Sequence, residues 1–147
     1  MTPNKNIEIL LVEDNPHEAR LTILSLEEKN LADNLMHVDD GAEALDYLFG
    51  QGEFADRNMM KMPKLVLLDL KMPKINGLEV LEKIKSSDLT KQIPVVILTS
   101  SKEDLDIKKC YELGANSYIV KPVGFENFLT AVSELCVYWL MLNQRPY

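Results

Sequence analysis

Cysteine is scarce in this chain, with two residues among 147, and neither stands in a Cys-x-x-Cys or other metal-ligand spacing. That excludes a disulfide framework and a thiolate metal centre. Cys110 and Cys136 each fall on the apolar side of a helical pattern and are expected to be buried thiols. Positive charge is short as well. Sixteen Lys and Arg face 23 Asp and Glu, for a net charge of −7, so the chain offers no basic footprint to nucleic-acid phosphates and direct DNA or RNA binding is not expected. No apolar run is long enough to cross a bilayer, and the opening Met-Thr-Pro-Asn-Lys-Asn has no signal-peptide core. A cytoplasmic protein without membrane contact is expected. Repeats, low-complexity tracts and linkers are also missing, which leaves one domain over 1–147. With 46% hydrophobic and 27% charged residues, it can bury a full core by itself.

Five short apolar runs organise the chain: Ile7–Val12, Leu35–Val38, Lys64–Asp69, Pro94–Leu98 and Asn116–Val120. Most are continuous rather than alternating, which suits strands buried on both faces. Helical spacing lies between and after them. Ala19, Ile23 and Leu26 share a face in the first helix, Ala42, Leu45 and Phe49 in the second, and Leu78, Leu81 and Ile84 in the third. Ile107, Cys110 and Tyr111 follow in the fourth, and a long apolar stripe from Phe125 to Leu140 forms the fifth. Asn15 can cap the first helix with Pro16 at its opening position, and Gly114 can end the fourth in a left-handed turn. The pattern is βα repeated five times. Right-handed crossovers then lead to an α/β fold, a doubly wound three-layer sandwich around a parallel sheet. The one long connection, Gly50–Pro63 with Met59, Met60 and Met62, is expected to cover a sheet edge.

In such sheets ligands bind beyond the carboxyl ends of the strands. The first strand ends in Glu13-Asp14, the third in Asp69, the fourth in Thr99-Ser100 and the fifth in Lys121-Pro122. Three carboxylates, hydroxyls and a lysine thus converge. Converging like charges destabilise the fold unless a cation sits among them, and a hard divalent ion such as Mg²⁺ answers that need with oxygen ligands. Other occupants of doubly wound folds fit poorly. A nucleotide or flavin site needs a Gly-, Ser- or Thr-rich loop after the first strand, but Glu13-Asp14-Asn15-Pro16 repels phosphate and its proline removes a donor. A haloacid dehalogenase-type hydrolase has a second Asp two residues after its nucleophile, where this chain has Lys71. No Gly-x-Ser-x-Gly elbow is present, and His17 and His37 stand away from the strand ends, the first in an opening helical turn and the second within a strand.

The segments Ile9-Leu-Leu-Val-Glu-Asp-Asn15, Leu67-Leu-Asp-Leu-Lys-Met-Pro-Lys-Ile-Asn-Gly77, Pro94-Val-Val-Ile-Leu-Thr-Ser100 and Gly114-Ala-Asn-Ser-Tyr-Ile-Val-Lys-Pro122 together resemble the receiver domain of two-component response regulators. The resemblance spans nearly the whole chain. It implies a flavodoxin-like sheet of order 2-1-3-4-5, with a core over about 6–135 and an extended C-terminal helix and tail to 147. It implies Asp69 as phosphoryl acceptor, with Mg²⁺ held by Asp14, Asp69 and the Lys71 backbone carbonyl and by Glu13 through water. Lys121 and Thr99 would serve the remaining phosphoryl oxygens, a cis Lys121–Pro122 bond would aim the lysine inward, and Pro73 and Gly77 would shape the loop after Asp69. Tyr118 matches the family's switch aromatic, which follows Thr99. The long connection and the ending Val137-Tyr-Trp-Leu-Met-Leu-Asn-Gln-Arg-Pro-Tyr147 are similar to stand-alone receivers that serve bacterial phytochrome kinases.

The expected protein is therefore a response regulator rather than an enzyme. A sensor histidine kinase phosphorylates it, and with no output domain expected, the signal leaves through contact with an unidentified downstream protein. The alternatives are a phosphorelay intermediate, a metal-dependent phosphatase, or a receiver-like module that never takes phosphate. Val137, Tyr138, Met141 and Trp139 are expected near the surface of the last helix, with Tyr138 and Trp139 anchoring a two-fold homodimer. The opposing expectation has Trp139 closing the core beneath the methionine-rich connection.

Overall fold

Strands with no polar face have to be covered on both sides, and the computed structural model does this with three layers. It describes residues 6–72, 74–121, 125–144 and 146. Strands β1 (Ile9–Val12), β2 (Leu35–Val38), β3 (Leu65–Leu68), β4 (Val95–Thr99) and β5 (Ser117–Val120) form one parallel sheet of order β2-β1-β3-β4-β5. Registers run in step, Ile9 lying beside both Leu35 and Leu65, and Ile97 beside both Leu68 and Tyr118. The central strands β1, β3 and β4 are buried throughout, while β5 and most of β2 at the edges are half-buried.

The period of two divides the sheet into two cores. Leu10, Val12, Val66, Leu68, Val95 and Ile97 meet Leu48 of α2 (Gly41–Phe49), Leu81 and Ile84 of α3 (Gly77–Ser86) and Cys110 of α4 (Asp104–Glu112). Ile9, Leu11, Leu65, Leu67, Val96 and Leu98 meet Ala19 and Leu26 of α1 (Pro16–Glu27) and Phe128, Val132 and Cys136 of α5 (Phe125–Val137). Both cysteines are free and buried, and burial pushes their thiols up, to about 11 for Cys110 and about 12 for Cys136. Two polar residues of α1, Thr22 and Ser25, are buried with their hydroxyls donating to the Glu18 and Thr22 carbonyls. Hydroxyls satisfied within their own helix can be buried at little cost.

Local signals set the element ends. The Asn15 side chain accepts from the His17 and Glu18 amides with Pro16 in the first turn, and Gly114 adopts φ 105° after α4. Three expectations are corrected. Tyr111, assigned to the packed face of α4, is exposed, while Cys110, with Leu113 packed beside it, makes the contact of this helix with the core. The Gly50–Pro63 connection folds onto the C-terminal end of α2 rather than over a sheet edge. Phe54, in a short 3₁₀ turn, meets Tyr47 edge-on at 5.1 Å, while Arg57 lies 4.4 Å over the Tyr47 ring and donates to the Tyr47, Leu48, Asn58 and Lys61 carbonyls. The guanidinium thus supplies the cation that α2 lacks in its own last turn. Finally, α5 runs into a π-helical turn, Tyr138–Leu142. That widened turn carries Trp139 into the core shared with α1, on the opposite side of the sheet from Met62 and Phe54, so it does not close the core beneath the methionine-rich connection. Val137 is half-buried, whereas Tyr138, Met141 and Leu142 are exposed.

Candidate functional site

Each central strand stops where its apolar run stops, so the next residue emerges at the carboxyl edge of the sheet. Glu13 and Asp69 continue the side of Leu11 and Leu67 and are buried at 3% and 7% exposure, while Asp14 is exposed. Lys121 follows β5, its amide donating to the Thr99 carbonyl at 2.7 Å. Its ammonium reaches inward to Glu13 Oε1 at 2.7 Å and Glu18 Oε2 at 2.8 Å, and stands 3.9 Å from Asp69 Oδ1.

Burial dominates the electrostatics. It pushes the Glu13 carboxyl up to about 7 against the hydrogen bond from Lys121, with the nearby Asp69 charge adding to the rise. It raises Asp69 as well, against the attraction of Lys121. For Lys121 burial works against the ammonium, yet the bonds to Glu13 and Glu18 leave it above its ordinary value. A cation is thus held firmly while two carboxylates lack sufficient countercharge.

Oxygens of Glu13, Asp14 and Asp69 all lie within 4.8 Å of one another. This all-oxygen set, partly buried and short of positive charge, fits a hard divalent cation such as Mg²⁺. A shallow groove lined by Asp14, Leu70, Lys71, Met72 and Asn76 leads from the cluster toward Asp106 on α4. Lys71, which lines this groove, has an exposed side chain. Gly77 opens α3 directly beneath, its amide donating to the Leu70 carbonyl at 2.9 Å. A methyl group there would meet the Asp69 carbonyl oxygen and stand 2.6 Å from Leu70 Cα, so the position needs glycine for space.

Thr99 is fully buried, on the side of Val95 and Ile97, and its hydroxyl accepts from the Ser101 amide at 3.3 Å. Tyr118 is half-buried on the same side and its phenol donates to the Ser101 carbonyl at 3.0 Å. Ser101 in turn donates from its hydroxyl to Asp106 at 2.6 Å. One loop residue therefore joins Thr99, Tyr118 and α4.

Glu13, Asp14, Asp69 and Lys121 come together, whereas Thr99 meets Lys121 through the main chain and is joined to Tyr118 through Ser101. Pro73 and Pro122, and with them the expected cis bond, lie outside the described residues. Three partners were not foreseen. Glu18 occupies the Asn15-x-x-Glu18 spacing of a helix-capping pair, the signal that could have singled it out. Ser101 and Asp106 carry no signal of their own. A fourth correction concerns His37. Expected to stand apart from the strand ends, its ring instead reaches the Glu13 carbonyl at 2.8 Å, with Nε2–H as the donor that an oxygen acceptor requires. His17 is exposed in the first turn of α1 as expected.

Comparison with known proteins matches this geometry. Residues 9–133 match the response regulator receiver domain family. The chain is 41% identical over 138 residues to the probable methanogenesis regulatory protein FilR2 of Methanothrix harundinacea, covering 94% of this chain and 86% of that protein. It is 37% identical to response regulator Rcp1 of Synechocystis sp., covering 94% and 92%, and the Mn²⁺-bound form of Rcp1 matches with a TM-score of 0.87 over 96% of this chain and 99% of that one. The phosphorylated cyanobacterial phytochrome response regulator RcpA matches with a TM-score of 0.88 at 37% identity, over 97% and 99%. With its fold, the acidic edge of its sheet and these relatives in agreement, the chain belongs to the response regulator receiver domain family.

Proposed function

We propose that Asp69 receives a phosphoryl group from a sensor histidine kinase, and that the phosphorylated protein signals by presenting a changed surface to a downstream protein. The observation that carries this reading is the setting of Asp69. It is a buried carboxylate facing both the oxygens of Glu13 and Asp14 and, at 3.9 Å, the Lys121 ammonium.

Asp14, Asp69 and the Lys71 carbonyl would hold Mg²⁺, with Glu13 acting through water; when bound, the ion supplies positive charge to one phosphoryl oxygen. Two further equatorial oxygens fall to Lys121 and to the Thr99 hydroxyl. The carboxylate of Asp69 is the nucleophile, and the burial that raises its pKa also strips it of hydration. Thr99 engaged by phosphate alters its bond with Ser101, which carries Tyr118 and Asp106, so the change spreads to α4 and β5.

A phytochrome-type kinase is the favoured donor, supported by the similarity to RcpA, a phytochrome response regulator. The protein acts as one domain over 1–147, in the cytoplasm; among the described residues no helix is long and apolar enough to cross a membrane. It pairs with a second copy through the C-terminal turn, where Tyr138, Met141 and Leu142 are 47%, 70% and 72% exposed. Trp139 supports that contact from within the core rather than anchoring it. The test of the reading is incubation of the protein and Asp69→Asn with acetyl phosphate and Mg²⁺. Base-labile labelling of the wild type alone is expected, and equal labelling of both overturns it.

A further inference from the structure

We propose that Glu18 is a positioning residue for Lys121, holding its ammonium back from Asp69 until a phosphoryl group draws it across. The inference rests on the phosphorylation of Asp69 proposed above. Lys121 makes two close ionic hydrogen bonds, to Glu13 and Glu18, while the 3.9 Å to Asp69 exceeds hydrogen-bonding distance. An ammonium has three donors. Two of them go to Glu13 and Glu18 and the third is left over, but the two carboxylates hold the nitrogen 3.9 Å from Asp69, so closing on an oxygen there stretches or breaks one of the existing bonds.

The surroundings decide which one yields. The Glu13 side chain is 4% exposed and would be left buried with only the Asn15 amide at 3.3 Å as a partner, whereas the Glu18 side chain is 37% exposed and water can take the place of the lysine. Glu18 is also anchored to the right spot by the Asn15 cap, which accepts from its own amide at 3.0 Å and fixes the first turn of α1. An arriving phosphoryl group carries more negative charge than one carboxylate and so wins the ammonium.

With acetyl phosphate as donor, an Asp69 carboxylate oxygen forms the new O–P bond. The P–O bond to the acetyl group breaks, and acetate leaves with the electron pair; no proton is needed. Removing the competing carboxylate places Lys121 at the disposal of that transfer from the start.

The experiment compares wild type, Glu18→Gln, Lys121→Ala and the double variant, each checked for an unchanged far-UV circular dichroism spectrum. Initial labelling rates are measured at low acetyl phosphate with Mg²⁺. Glu18→Gln is expected to label about two- to fivefold faster than wild type, the range for an ion pair with one partly exposed member. In the Lys121→Ala background the same substitution should change nothing. In metal-free protein, the ¹⁵N signal of the Lys121 ammonium should move in Glu18→Gln, a readout independent of phosphorylation. Acceleration that persists without Lys121 shows that Glu18 merely repels the donor, and overturns the proposal. So does an unmoved ammonium signal, or Asp69-dependent labelling that ignores Glu18. A wild type that takes no phosphoryl group overturns the reading beneath it as well.

Discussion

Replacing Gly77 with alanine sets two effects of opposite sign against each other. At the opening of a helix with ordinary backbone angles, alanine in place of glycine favours folding by about 0.5–1 kcal/mol, through helix propensity and a less flexible unfolded chain. Here the added methyl would stand 2.6 Å from Leu70 Cα and against the Asp69 carbonyl oxygen. Non-bonded carbons rest at about 3.5–4.0 Å, so the shortfall is about 1 Å. Both neighbours are backbone, with no rotamer to escape into. Overpacking of this kind costs about 1–3 kcal/mol, and a contact between two main chains belongs at the upper end. A net loss of about 2 kcal/mol is expected, or a fall of about 4–8 °C in Tm for a domain of this size. Thermal unfolding followed by circular dichroism reads it. Because the atoms pushed aside carry Asp69, labelling at 25 °C, where the variant is still folded, should slow by about tenfold or more. A melting point equal to or above that of the wild type would refute the reasoning, since α3 would then not be wedged against the acceptor strand.

Asp14→Ala should weaken Mg²⁺ binding at least about tenfold in a direct titration, as expected of an ion that takes one or two carboxylates; unchanged affinity removes Asp14 from the ligand set. Arg57→Gln leaves the carbonyls at the end of α2 without their cation and should cost about 2–3 kcal/mol in urea unfolding; a loss below about 0.5 kcal/mol would mean the connection is held otherwise. Tyr118→Phe deletes the bond to the Ser101 carbonyl and should speed amide exchange across Ser101–Asp106, where identical exchange would break the link between β5 and α4. Burial holds the Lys85 ammonium down at about 8, whereas in the unfolded chain it titrates near about 10.4. Between those values the unfolded state binds more protons, so stability due to this group rises with pH. The stability of wild type relative to Lys85→Met should therefore grow from pH 8 to pH 10, and a flat difference contradicts the assignment.

Much of the fold is legible because parallel strands covered on both faces leave a mark no other element leaves: Leu65–Leu68 and Val95–Thr99 are apolar almost throughout and buried throughout. The strand ends are legible for the same reason, since the first polar residue after each run is forced to the carboxyl edge. The spacing marks Glu18 as a helix-capping residue but hides its link to Lys121, because an acid in the first turn of a helix has a sufficient local explanation in the cap and dipole. Only the packing of α1 beside α5 turns it toward Lys121. His37 was misplaced because a strand pattern fixes the side of a residue but not how far its ring reaches. Tyr111 and Trp139 show the limit of periodicity. Where the sequence is apolar around most of a turn, as over Tyr138–Leu142, a 3.6-residue period cannot choose the face, and the widened turn selects it. The Gly50–Pro63 connection is ordered by one long cation meeting carbonyls, and that geometry leaves no spacing to read.

The pair Lys121 and Glu13 is separated by 108 residues. The lysine is therefore synthesised long after both Glu13 and Asp69, and after the strands β1, β3 and β4 that carry the site. A shortened or half-made polypeptide presents Asp69 without its cation. If Asp69 takes the phosphoryl group as proposed, a kinase that depends on Lys121 beside it would discriminate against unfinished molecules without recognising them as such.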